Sequence, residues 1–189
     1  MPGHTADIPA DRHFVVIEDN HHRFTTDRCI IKAFICHTTG AGTESAVVTE
    51  EVIEANTVAT KLQVAFLDAV KANPAATAEE LAGVCAQHEA VSLIGPMVAP
   101  IAEGWLNGFD AESITGFSEG AVFAPMIGTI AFMGYIFTLP EGADVEAFKT
   151  QLTSTANLRW NICTEAEEMV CDNVGNKVFF VMAPKAIEE

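Results

Sequence analysis

From Gly120 to Pro140 the chain carries no charged residue and gathers Phe123, Met126, Ile127, Ile130, Phe132, Met133, Tyr135, Ile136, Phe137 and Leu139. A run this apolar must be hidden from water, and it has two ways to do so. A membrane-spanning helix needs about 20 predominantly apolar residues. Here Pro125, Gly128 and Gly134 interrupt the run, and Glu119 and Glu141 flank it without an anchoring Lys or Arg. Aromatic and β-branched residues crowd its second half. The run therefore predicts a buried central strand near Thr129 to Leu139, covered on both faces, and no transmembrane span.

The residues after that strand supply its cover. Pro140-Glu141-Gly142-Ala143 reads as a turn, and Asp144 can cap a helix whose Val145, Phe148, Leu152 and Ala156 form one stripe. Thr164-Glu165-Ala166-Glu167 has capping-box spacing, which predicts a short helical turn before Met169. Val174-Gly175-Asn176-Lys177 joins two apolar runs through a two-residue Gly-Asn loop, the pattern of a tight hairpin. The C-terminal third thus reads β-α-β-β.

Upstream, Val48, Val52, Ala55, Ala59, Leu62, Phe66, Ala69 and Val70 recur near the helical period and stop before Pro74. Thr77-Ala78-Glu79-Glu80 then opens a second helix with Leu81, Val84, Cys85 and His88 on one face. Gly95, Pro96, Pro100, Gly104 and Gly108 predict short turns between Leu93 and Phe109. His13 to Glu18 and Cys29 to His37 read as strands that pair antiparallel, preceded by a loose arm over residues 1–12. The expected fold is one α+β domain over residues 13–189, a mixed or antiparallel sheet covered by helices near 46 to 72, 77 to 89 and 144 to 156. Its sheet would hold the N-terminal strands, the strand near 129 to 139 and the C-terminal hairpin.

Charge excludes one class of partner. Ten Lys plus Arg against twenty-six Asp plus Glu give a net charge of -16, and between Lys71 and Lys149 there is no Lys or Arg at all. Such a field repels phosphates, so nucleic acid is not an expected partner. Met1-Pro2-Gly3-His4-Thr5-Ala6-Asp7 has no charged start followed by an apolar stretch, so the chain as it stands reads as cytoplasmic.

Three constellations bear on chemistry, and none amounts to a catalytic set. His13, His21 and His22, with Glu18 and Asp19 between them, offer imidazole and carboxylate ligands for a transition metal. Cys36-His37 and Cys85-Ala86-Gln87-His88 each bring a thiol near an imidazole. Neighbours in a strand face opposite sides, however, and a core cysteine beside a boundary histidine is the commoner arrangement on a helix. Arg159, Trp160, Asn161 and Cys163 gather a cation, an indole, an amide and a thiol in one segment, the make-up of a ligand-binding wall or of a loop pinned by its tryptophan. Cys163 and Cys171 could bridge in an oxidising compartment. No pattern names a cofactor or a small-molecule ligand.

The order of two helices, an apolar strand, Gly142-Ala143-Asp144-Val145-Glu146-Ala147-Phe148 opening a helix, and Val174-Gly175-Asn176-Lys177-Val178 leading an apolar strand resembles a family of small bacterial cell-envelope domains of lipoprotein type, over residues 77 to 183. The resemblance implies an envelope location, reached by a signal or lipid anchor ahead of Met1, and carries over no functional residue. The functional expectation is a non-enzymatic binding or interaction domain that associates with a protein partner or with itself through its apolar middle. The alternative is a metal-dependent or thiol enzyme using His21, His22 or Cys163.

Overall fold

The computed structural model describes residues 29–30, 52–110, 113–126 and 128–187. The 1–12 arm, the strand expected at 13–18, most of that at 29–37, and His13, His21, His22, Cys36 and His37 lie outside the described residues. Elements run β1 (Cys29–Ile30), β2 (Val52–Ile53), α1 (Val58–Ala72), α2 (Ala78–Ala86), a 3-10 turn (Glu89–Val91), β3 (Met97–Ile101), β4 (Gly104–Trp105), β5 (Ser113–Ile114), β6 (Glu119–Ala124), β7 (Met133–Thr138), α3 (Val145–Thr155), β8 (Glu168–Val174) and β9 (Lys177–Ala183). This is the expected α+β class. The main sheet is five-stranded and antiparallel, in the order β3-β6-β7-β9-β8.

The charge-free run folds as nearly all of β6 and then as β7, paired antiparallel with it, and no described helix is long and apolar enough to cross a membrane. Met133 to Phe137 are buried, and so is every residue of β9 beside it, so both central strands are covered on two faces. On one face Ala121, Phe123, Ile136, Phe179, Val181 and Ala183 meet α1 and α2, with Phe66 stacked on Phe179 at 5.4 Å between ring centroids. On the other, Tyr135, Phe137, Val178, Phe180 and Met182 meet α3 and Leu106, Phe109, Ile114 and Phe117. Tyr135 Oη donates to Asn107 O at 2.7 Å, so the one polar atom of that buried ring is satisfied.

Local signals set the helix starts. Asp144 Oδ1 accepts from Ala147 N at 3.0 Å, and Thr77 and Glu80 form a reciprocal capping box. Gly175, at φ +58°, supplies the left-handed position of the 174–177 hairpin turn, where Val174 pairs with Lys177. Lys177 is buried and donates from Nζ to Ala76 O at 2.6 Å, tying the sheet to the α1–α2 link.

Four expectations are corrected. The first helix begins at Val58 because Thr57, in extended backbone, caps it together with Thr60, while Val52 and Ile53 pair with Ile30 and Cys29. The described part of the N-terminal strands therefore forms a separate two-stranded ladder. Its expected place in the main sheet is taken by β3 and β6. Residues 97–101 form an edge strand despite Pro100, since an edge tolerates a missing N–H. The Thr164–Glu167 turn is not helical: Glu167 N donates to Ala183 O and Ala166 N to Leu158 O, so sheet pairing claims the backbone that a helix would use.

Candidate functional site

The singled-out segment 159–163 lies in the connection from α3 to β8, and its polar groups are spent on holding that connection down. Asn157 N donates to Gly108 O, its Nδ2 to Asp110 Oδ1 at 2.6 Å, and its Oδ1 accepts from Arg159 N at 2.8 Å. Asn161 Nδ2 reaches Gly128 O and Ile130 O at 3.2 and 3.4 Å, and its Oδ1 accepts from Cys163 N. Thr164 Oγ1 donates to Thr129 O at 2.8 Å. Trp160 is half-buried against the second core cluster. Arg159 pairs with Glu165 at 3.6 Å, both largely exposed, a geometry that contributes under about 1 kcal/mol.

Two shallow clefts of about 260 and 280 Å³ open on the surface, small beside ordinary ligand pockets. The first lies between α3 and Thr115-Gly116, the second between Ile130-Ala131, Thr164-Glu165 and Pro184 to Ile187. Neither is lined by Arg159, Trp160, Asn161 or Cys163. The second runs beside their loop, through Thr164 and Glu165.

The described thiols Cys85, Cys163 and Cys171 are free, so Cys163 and Cys171 are not bridged. Burial pushes the Cys85 thiol up to about 12. Burial does the same to Cys171, where Asp172 and Glu146 add to the rise and Lys149 opposes it. A nucleophile must ionise near neutral pH, and these two do not. His88 does not relieve Cys85: its Nδ1 accepts from Ala90 N at 3.1 Å, capping the 3-10 turn. Burial holds His88 below its usual range, with Lys61 acting the same way and Glu89 opposing. Cys163 alone of the three is exposed. Among the described residues no group of three or more His, Cys, Asp or Glu could hold a metal ion.

The surface that sequence reasoning missed lies at the β3 edge. On the second-cluster face, Met97 stands opposite Ala124 and Ala99 opposite Val122. Met97 and Ala99 are exposed, and Val122 and Ala124 only half-buried. Leu93 before the strand, Trp105 after it and Met126 beyond the end of β6 are each more than half exposed. Ile162, fully exposed, follows Asn161, which ties its loop to Gly128, two residues along the chain from Met126. Single exposed apolar residues are ordinary, but Met97 and Met126 fall at the same end of the β3–β6 pair, while Trp105 follows its other end. The signal was present as Met97, Trp105 and Met126 among glycines and prolines, and it was masked by the reading of that stretch as turns. Comparison with known protein families, curated proteins and solved structures finds no match for this chain.

Proposed function

We propose that the protein is a non-enzymatic interaction domain that docks a macromolecular partner on the apolar corner formed by β3, the end of β6 and the 159–163 loop. The observation that carries this reading is the exposure of Met97 and Ala99 over a half-covered strip of sheet, while the rest of that face is packed. Leaving one Met side chain in water forgoes about 1.5–3 kcal/mol of burial, a loss that a partner recovers. The pinned loop contributes the exposed Ile162 on a rigid mount, which limits the ordering cost of docking. Arg159 and Asn161 act here as fasteners of that mount.

The test is the native size of the protein in an extract of its own cells. The unmodified chain is expected to elute in a complex larger than its 20.2 kDa. The Met97→Ser/Met126→Ser variant, altered only at exposed positions, is expected to keep its melting temperature and elute alone. Elution of both at the size of the lone chain would count against the proposal.

A further inference from the structure

The chemistry of the partner is set by charge, and this inference rests on the interaction reading above. β3, β6 and β7 all lie between Lys71 and Lys149, a stretch without a single Lys or Arg. Glu89 and Glu103 flank the 93–101 run in sequence and both are exposed, Glu103 accepting from Gly116 N through Oε1 and keeping its second oxygen for a cation. Arg159, in the adjoining loop, is paired with Glu165, and an apolar strip drawn from a stretch that carries only carboxylates discriminates among partners. Two copies, each at -16, meet against their own repulsion, whereas a cationic segment is steered in.

The edge itself narrows the mode of docking. Among the described residues β3 has no strand on its outer side. Proline on an edge strand sits where its N–H would point away from the sheet, so an added strand finds no donor at Pro100. This is a common device against edge-to-edge pairing, and it disfavours a second copy joining sheet to sheet. Docking then relies on side chains.

We infer that the corner of Met97, Ala99, Met126 and Ile162 binds a basic, amphipathic segment of another protein, which lays an apolar face on the strip and sets its Lys or Arg toward Glu89 and Glu103. Lysine and arginine suit this position because their alkyl stems extend the apolar contact while their heads reach the carboxylates. Helix-in-groove recognition of a basic amphipathic helix works on the same division of labour.

The experiment titrates isotope-labelled full-length protein with a short peptide of lysines and leucines arranged to give one apolar face, and with a neutral peptide in which serine replaces lysine. Amide shifts of residues 97–99, 101 and 120–124 report docking. The lysine peptide is expected to bind there and the serine peptide at least about tenfold more weakly. Met97→Ser/Met126→Ser should weaken the lysine peptide about tenfold, and Glu89→Gln/Glu103→Gln about threefold with a flatter salt dependence. Glu54→Gln, an exposed carboxylate before α1, should leave binding unchanged.

Equal weakening by Glu54→Gln, or none by the methionine substitutions, means diffuse attraction to an acidic surface and overturns the inference. Equal binding of both peptides at β3 overturns the basic partner and leaves the interaction reading standing. A dimer by sedimentation that the methionine substitutions dissolve makes the occupant a second copy, which also overturns it. No shift with either peptide removes both readings.

Discussion

Phe123 lies across the backbone of Gly134, its register partner on the neighbouring strand, so closely that a Cβ on Gly134 would collide with the phenyl ring. The contact seats Phe123 among Phe132 and Phe179, at 5.8 and 6.5 Å between centroids, in the layer beneath α2. β6 therefore holds its place beside β7 partly because position 134 has no side chain. Gly134→Ala must push a fully buried ring into a packed layer, at a cost of about 1–3 kcal/mol. Chemical denaturation should show that loss with an unchanged slope. Phe123→Leu should relieve part of it in the double variant, because the two substitutions share one space.

The thiols should separate sharply under alkylation. Cys163 is exposed, whereas Cys85 is fully buried and Cys171 is half-buried with its proton held to about 12. Iodoacetamide on the native protein near pH 8, followed by peptide mapping, should label Cys163 within minutes and the other two only after unfolding. Rapid labelling of Cys171 would contradict its place beneath α3.

Those same shifts set an alkaline limit on stability. Unfolded thiols give up their protons from about pH 9, while Cys85 and Cys171 keep theirs to about 12. Above pH 9 the unfolded state thus binds fewer protons than the native state, and stability falls as pH rises. It is fully present below pH 9 and is lost between 9 and 12, at up to about 1.4 kcal/mol per thiol per pH unit. Tyr135, raised in the same direction by burial, adds to the slope at the upper end. Urea unfolding at pH 8 and pH 10.5 should show the fall, and Cys171→Ser should flatten it.

The parts of the fold that were legible in the sequence are those where a local signal and burial agree. Asp144 before a spaced apolar stripe, Thr77 three residues ahead of Glu80, and Gly175-Asn176 between two apolar runs each name an element and its boundary. β3 was hidden because an edge strand needs neither alternation nor a full set of donors, so Pro96 and Pro100 looked like breakers. β6 was hidden by its small residues: Gly120 and Ala121 are small where Ile101, Phe117 and α2 pack close, which lowers the very strand propensity a reader looks for. At Thr164 to Glu167 the capping-box spacing was real, yet long-range pairing with Ala183 outweighed a local preference of about 1 kcal/mol.

The candidate site was legible only by half. The unusual string at Arg159 to Cys163 falls in a loop held by Asn161 and Thr164, whose side chains reach backbone carbonyls that no sequence pattern announces. The exposed corner depends on register across β3 and β6, where Met97 meets Ala124, and register is invisible until both strands are placed.

The most direct test of the docking corner is photo-crosslinking from a benzophenone amino acid placed at Met97 in one protein and at Glu54 in another, each made in the native cell. Both positions are exposed, and only the first lies on the β3 corner. A discrete crosslinked partner carrying a basic amphipathic segment, formed from position 97 and absent from position 54, is the expected result. The same smear from both positions, or none from either, would contradict it.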